Sequence, residues 1–422
     1  MVDPGSGDDA IQRRTVNTLM VGQALGTAAA ASMLAALGLL AAELLGSDTL
    51  AGAPAAVGTL GTAVIASPLA GLAVRKGRRP ALWVGYGLGS LGAAIGALAG
   101  EMGVFWILLI GMTIFGGGQA AGLQSRFAAA DLASPERRAR DISRVVWVAT
   151  IGGVLGPVLN STEDTAGRSL GLGPWVGPMI AAFLLYLTAA AWAAVRLRPD
   201  PLLLRAERAG LPSGERPKGQ LTAAWRAVRA EPMALLAVAS LAVTHAVMVA
   251  VMTMTPLHMR DHGQAALSGL VISIHVLGMY GFSPLVGRYT DRWGPARTIR
   301  DGALILGLGV ISSVAAGYQP SLIFIGLFLL GLGWSFGLIA GSALLTASVP
   351  ESTRVAAQGL SDTLLSGLAA AAAVTSGLIK QGWGFHWLAN LAGGCAIALA
   401  VVAVLVSRQR VTPRVATSGI EP

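Results

Sequence analysis

The chain has 422 residues, of which 54% are hydrophobic and only 12% are charged, and its formal net charge is +9. So little charge cannot cover the surface of a soluble protein of this size. The basic residues fall in loops between long apolar runs, so we expect them to face a lipid bilayer rather than nucleic acid. The composition predicts a polytopic membrane protein.

Twelve apolar segments of membrane-spanning length follow one another along the chain. They lie at about 16–42, 51–74, 80–99, 102–125, 143–161, 174–196, 232–255, 266–287, 300–318, 320–347, 358–379 and 386–407. The polar first 15 residues lack the apolar core of a cleaved signal peptide. We therefore expect an all-α membrane protein of twelve transmembrane helices.

A long polar stretch lies between the sixth and seventh segments, at 196–231, and carries eight basic residues and four prolines. It divides the chain into a six-helix half at 1–197, a linker at 198–231 and a second six-helix half at 232–422. Two landmarks repeat between the halves. Ser67-Pro68 recurs at Ser283-Pro284 and Pro135-Glu136 recurs at Pro350-Glu351, at offsets of 216 and 215. Equal spacing of independent landmarks indicates a duplicated unit.

The positive charges predict the orientation of the spans. Basic residues crowd the loops at 75–79, 126–144 and 288–300, the linker and the tail, whereas the opposite loops hold only Arg168, Arg260 and Lys380. Basic loops stay in the cytoplasm, so both termini and the linker are predicted there, in a cytoplasmic membrane. Arg126 is expected to snorkel to the inner surface. Asp362 is expected to cap or pair near the start of the eleventh helix rather than carry protons, for which His245 and His275 are the better candidates.

The second half carries a motif of Gly287, Asp291, Arg292, Gly294 and Arg297 between its second and third helices. In this motif and in its duplicated halves, the chain resembles the major facilitator superfamily over almost its full length. The resemblance implies two pseudo-symmetric halves, alternating-access secondary transport and a cytoplasmic gate anchored by Asp291 against a helix dipole. The first copy, from Gly71, is one residue short and lacks the aspartate.

Four of the five histidines and five of the twelve methionines lie between His245 and Met279. His245, Met248 and Met252 share one face of the seventh helix, while His275 and Met279 share a face of the eighth. At a rise of about 1.5 Å per residue, Met248 and His275 lie at similar depth. Thioether and imidazole are ligands for Cu(I). The extracellular mouth is expected to be lined by Met254, His258, Met259 and His262.

The spacings Met248-x-x-x-Met252 and His275-x-x-x-Met279 resemble those of the CcoA-like copper importers, a branch of the same superfamily. That resemblance implies copper import, with Met248, Met252, His275 and Met279 as ligands; we add His245 as an auxiliary ligand or proton-linked switch. The alternative is a carrier of an organic solute, with the methionines as apolar wall. Gly152 to Pro157 resembles a signature of drug/proton antiporters, and related carriers look like riboflavin transporters.

Other functions are less favoured by the sequence. It contains no phosphate-binding Gly-x-x-x-x-Gly-Lys-Ser/Thr loop and no catalytic arrangement in its short loops, so neither an enzyme nor a cofactor is expected. Copper would be the cargo. The scarcity of mid-span carboxylates counts against a carboxylate-driven proton antiporter. A membrane sensor lacks an obvious signalling domain, and we expect a monomer.

Overall fold

The computed structural model describes residues 4–47, 50–210, 220–261, 267–315 and 319–409. These residues form helices and connecting turns, without a β-strand among them. The helices are α1 (Pro4–Leu45), α2 (Ala53–Lys76), α3 (Arg78–Met102), α4 (Phe105–Ala130), α5 (Arg138–Ser169), α6 (Val176–Arg196), α7 (Pro201–Arg208), α8 (Gln220–Ala230), α9 (Pro232–Asp261), α10 (Ser268–Val276), α11 (Ser283–Trp293), α12 (Pro295–Ala315), α13 (Pro320–Ser348), α14 (Glu351–Trp383) and α15 (Phe385–Gln409).

The predicted all-α membrane fold is confirmed. Within the described residues, ten helical segments are long and apolar enough to cross a membrane, and α5 adds an eleventh if its two parts, bent by 52°, are one span. The remaining predicted span, at 300–318, coincides with α12, and its last three residues lie outside the described residues. The short helices α7 and α8 belong to the central linker.

The eighth span is interrupted, which the sequence did not predict. It begins as α10, continues as a π-helical segment at Leu277–Gly281 and resumes as α11, with Pro284 near the start of α11. A π-helical segment has a wider turn than an α-helix and is common at functional sites. Met279 lies in this segment. Its side chain therefore does not share a helix face with His275 in the way that four-residue spacing on a regular α-helix would give.

The apolar side chains form two large cores. One is built from residues between Val16 and Leu197, with Val355 added from α14, and the other extends from Phe127 to Ala403. The second core draws mainly on α9 and on the helices that follow it. Each half therefore buries most of its apolar surface within itself, and a few apolar side chains, such as Phe127, Ile142 and Val355, pack across to the other half. The boundaries at 197 and 232 stay a prediction.

The halves meet at the end of the bundle that holds the basic loops, which we call the basic end. There α2 packs on α14 and α5 packs on α11. A Cβ atom on Gly359 of α14 would lie 2.4 Å from the Ala70 Cβ, and one on Gly287 of α11 would lie 2.2 Å from the Ser143 Oγ. Both approaches are too close for any side chain, so these two glycines permit the closure.

Candidate functional site

His245 is bonded to α13. The Trp334 Nε1–H donates to the His245 Nδ1 at 2.7 Å. An indole nitrogen is only a donor, so the His245 Nδ1 must accept and the proton of the neutral ring must lie on Nε2. The lone pair that would bind a metal is thus already engaged. Tyr280 packs edge-on against Trp334 at 5.5 Å between ring centroids, which completes a small aromatic cluster.

His275 also faces α13 and is fully buried. Its Nδ1 lies 2.8 Å from the Leu327 carbonyl oxygen, so Nδ1 donates and Nε2 keeps a free lone pair. The Nε2 atom has no hydrogen-bond partner among the described residues. Gly331 permits this packing, because a Cβ atom there would lie 2.4 Å from the His275 carbonyl oxygen. Each histidine is therefore hydrogen-bonded to α13, the helix that packs against both α9 and the eighth span.

The methionines of the cluster are packed as core side chains. Met248 is 3% exposed and Met279 is 7% exposed, and both belong to the core of the second half. Met252 is half-buried and packs against the same core. Such packing is the common use of methionine, whose flexible chain fills irregular gaps. Met248 and Met279 therefore do not present their sulfur atoms at an open surface, and the predicted set of four ligands stays a prediction.

The predicted extracellular mouth is corrected in part. Met259 is completely buried in a small cluster with Val271, Ile323 and Leu327, and Met254 is buried in the main core. Neither lines an open mouth, because the end of α9 packs against α10 and α13. The His258 side chain and the whole of His262 lie outside the described residues.

Asp291 joins the halves at the basic end. Its two carboxylate oxygens accept hydrogen bonds from the backbone N–H groups of Ala139 and Arg140, each at 3.0 Å. These groups lie in the first turn of α5, where the helix dipole attracts negative charge. Gly294 ends α11 at a φ of 86°, a conformation that favours glycine.

The two arginines of the same motif lie beside Trp293. The Arg297 and Arg292 guanidinium carbons lie 4.4 and 5.3 Å from the centre of that ring, respectively. These cation–π contacts fix the loop between α11 and α12.

Replacing Asp291 with Asn is expected to weaken the closed basic end by about 0.5–2 kcal/mol, because the charge on the α5 dipole is lost. The measurement is the alkylation rate of a Ser143→Cys variant made in a Cys395→Ser background, since Ser143 is covered by Gly287 only when the halves touch. The rate should rise severalfold. Asp301→Asn is the matched control, because Asp301 pairs within its own half with Arg300. Equal rates in the two variants would contradict the role of Asp291.

The first motif copy has Arg75 at the position that corresponds to Asp291. In this half a carboxylate of the linker lies beside the motif. Asp200 accepts hydrogen bonds from the backbone N–H groups of Arg78 and Arg79 at 3.1 and 2.7 Å, at the start of α3. Arg205 pairs with Glu351 of α14 and donates to the Asp131 carbonyl oxygen at 2.9 Å. The linker thus ties the two halves together where the motif has lost its carboxylate.

A buried ion pair between the halves was missed by the sequence analysis. Arg126 of α4 is 2% exposed, and its Nη2 lies 2.5 Å from the Oδ1 of Asp362 of α14, which is fully buried. Its Nε donates to the Ser342 hydroxyl at 2.9 Å, and its Nη1 donates to the Leu123 carbonyl oxygen. The expectation that Arg126 snorkels to the inner surface is wrong. Its guanidinium turns back along α4 toward the bundle centre, because Asp362 offers it a counter-charge there.

A second buried pair lies beside the first. The Arg78 Nε and Nη2 donate to the Asp131 carboxylate at 2.8 and 3.2 Å, and Nη2 also donates to the Gln358 Oε1 at 2.6 Å. Arg78 and Asp131 belong to the same half, so only the neutral Gln358 contact crosses to α14. A signal for these pairs was present in the sequence, as charges at helix ends, but their partners are 53 and 236 residues apart.

At the end opposite the basic loops the paired helices expose polar side chains. On α5 these are Ser161, Thr162, Thr165 and Ser169. Ser273 of α10 and Thr375 of α14 are exposed as well. A run of hydroxyl groups on a membrane-spanning helix is more favourable facing water than lipid. The helices that close the basic end thus expose hydroxyl groups at the opposite end.

The comparisons with known proteins agree with this architecture. The family model described as Major Facilitator Superfamily matches residues 19–268 and 247–422. The chain is 37% identical over 405 residues to the uncharacterized MFS-type transporter YdeG of Bacillus subtilis (strain 168), covering 95% of this chain and 93% of that protein. It is 29% identical over 387 residues to the riboflavin transporter RfnT of Brucella anthropi, covering 90% and 93% of the two chains.

Among solved structures, that of the human organic anion transporter MFSD10 superposes with a TM-score of 0.76 at 17% identity, covering 93% of this chain and 99% of that one. This likeness concerns the fold. The matched family model and the identity to YdeG show that the chain belongs to the major facilitator superfamily of secondary carriers, whose members are transporters and not enzymes.

Proposed function

We propose that this chain carries an organic solute across a cytoplasmic membrane by alternating access, and that the structure represents the state closed toward the cytoplasm. The observation that carries the proposal is the contact between the halves at the basic end, together with the hydroxyl groups that α5 exposes at the other end. Loops rich in arginine stay in the cytoplasm, which makes the basic end the inner one and places both termini inside. A monomer with halves at 1–197 and 232–422 contains all the parts that this cycle needs.

An organic solute fits the site better than copper does. The His245 lone pair is occupied by Trp334, and Met248 and Met279 are buried in the core of one half. The exposed hydroxyl groups of α5 and the aromatic cluster around Trp334 are groups that suit a planar, hydroxylated molecule. The relative RfnT is a riboflavin transporter, so a flavin is the first probe for this chain.

Uptake into proteoliposomes tests the proposal. Purified protein is reconstituted, and the accumulation of riboflavin and of riboflavin 5′-phosphate is measured against protein-free vesicles. Saturable uptake of either compound supports the proposal. Accumulation of Cu(I) without uptake of either flavin would overturn it.

Copper remains a second candidate because of one observation. The buried His275 has a free Nε2 lone pair while its Nδ1 donates to a backbone carbonyl, an arrangement common among metal-binding histidines. Import of copper through His275, Met248, Met252 and Met279 would require these side chains to leave the core during the cycle.

A double replacement of Met248 and Met252 by Leu separates the two candidates. Leucine keeps most of the apolar volume but removes the sulfur, and such swaps cost less than about 1.5 kcal/mol in a core. We expect flavin uptake within about twofold of wild type, since a factor of two is about 0.4 kcal/mol. His275→Gln serves as a parallel variant that removes the free lone pair. Loss of Cu(I) uptake in both variants, with flavin uptake absent throughout, would favour copper.

A further inference from the structure

We propose that Asp362 carries a coupling proton and that Arg126, once released from Asp362, binds an anionic group of the solute. The inference rests on the proposed function, since it names the charge class of that organic solute and the ion that moves with it.

The geometry of Asp362 is suited to accepting a proton. The carboxyl group is fully buried, and only its Oδ1 is bonded, to Arg126. The Oδ2 atom has no hydrogen-bond partner among the described residues. The negative charge of such a buried carboxylate is stabilised by its single cationic partner, and it becomes unfavourable when that partner leaves.

Alternating access must separate this pair. Arg126 belongs to α4 in the first half, and Asp362 belongs to α14 in the second. The two atoms that meet at 2.5 Å therefore move apart when the basic end opens. Arg78 and Asp131 stay together through the same motion, because both belong to the first half. Of these two buried pairs, only the Arg126–Asp362 pair has to find new partners.

Separated buried charges are strongly unfavourable unless each is neutralised. A proton neutralises Asp362, and arginine remains charged at any working pH, so Arg126 needs an anion. A carboxylate or phosphate of the solute fits, because the guanidinium binds such groups with two parallel hydrogen bonds. Opening is therefore favoured in part by the proton alone and most strongly when both ligands are bound, which couples the proton to the solute.

The surroundings contain few competing groups. Two further titratable groups interact electrostatically with this pair. Arg78 interacts with Asp362 but is paired with Asp131, and His245 interacts with Arg126. From α13 the Ser342 hydroxyl accepts a hydrogen bond from the guanidinium. The His245 Nδ1 accepts from Trp334 and both Asp131 oxygens accept from Arg78, so of Asp362, His245 and Asp131 it is Asp362 that can gain a proton without losing a hydrogen bond.

The proton part is tested without any solute. Spin labels are placed at Ser134→Cys and Ser352→Cys, exposed positions at the basic ends of the two halves, in a Cys395→Ser background. We expect the distance between the labels to increase as the pH falls, and Asp362→Asn to hold the longer distance at every pH. Asp164→Asn, which alters a pair within α5, should respond as wild type does. An unchanged pH response in Asp362→Asn would overturn the proposal.

A conservative variant covers the case in which Asp362→Asn does not fold. Asp362→Glu keeps the titrating group and moves it by one methylene. We expect it to shift the pH at which the label distance changes, and an unchanged midpoint would count against Asp362.

The anion part is tested with a matched pair of probes, riboflavin 5′-phosphate and riboflavin. We expect the phosphate ester to populate the long label distance at acidic pH severalfold more than riboflavin does, and this difference to vanish in Arg126→Gln. Equal effects of the two probes, or no effect of either, would overturn the assignment of an anion to Arg126. Uptake of riboflavin alone would leave the proposed function standing and remove only this inference.

Discussion

Replacing Arg126 with Gln is expected to abolish transport and to destabilise the protein by about 3–5 kcal/mol, the usual cost of leaving a buried charge without its partner. The reason is that Asp362 is fully buried and, among the described residues, Arg126 is its only hydrogen-bond partner. The measurement is the apparent melting temperature in detergent, together with flavin uptake in proteoliposomes.

The matched control is the double variant Arg126→Gln with Asp362→Asn. It removes both charges, so much of the stability should return while transport stays absent, because neither a proton nor an anion is bound. A single Arg126→Gln variant that melts like wild type would show that the pair does not hold the halves together.

Adding one methyl group at Gly359 is expected to prevent closure of the basic end. The new Cβ would lie 2.4 Å from the Ala70 Cβ, a distance that side chains do not adopt. Overpacking typically costs about 1–3 kcal/mol, and this cost applies only to the closed state because α2 and α14 separate when the basic end opens. The closed population should fall by a factor of about ten, since 1.4 kcal/mol is tenfold.

Gly377→Ala is the control for this prediction, because it lies on the same helix and a Cβ atom there meets nothing within 4 Å. Label distances between positions 134 and 352 report the two populations directly. Gly359→Ala should show the longer distance and slower uptake, while Gly377→Ala should match wild type. A short distance in both variants would mean that α2 and α14 are not the gate.

The sequence was sufficient for the parts of the fold that local physics controls. Apolar runs of membrane-spanning length gave the spans, because any helix in lipid must satisfy its own backbone and present apolar side chains. The repeated landmarks and the motif around Asp291 indicated the superfamily. The contact of Asp291 with the start of α5 also follows from the chemistry of a carboxylate and a helix dipole.

The neighbours that these side chains contact could not be predicted from the sequence. His245 and Met248 share a helix face, yet the choice of neighbour for that face depends on α13, which is 89 residues from His245 at Trp334. The π-helical segment turns the Met279 side chain away from the face that regular α-helical spacing predicts, and no pattern in the sequence indicates this segment. Arg126 was assigned to the surface because its counter-charge, Asp362, lies 236 residues away. Long-range packing decides such pairs, and helical spacing carries no information about it.

The most direct test is parallel uptake of riboflavin 5′-phosphate and Cu(I) by the same proteoliposomes, with and without an inwardly directed proton gradient. We expect the flavin phosphate to accumulate, the proton gradient to increase its accumulation, and Cu(I) to remain at the level of protein-free vesicles. Accumulation of Cu(I) with no flavin uptake under either condition would contradict the account.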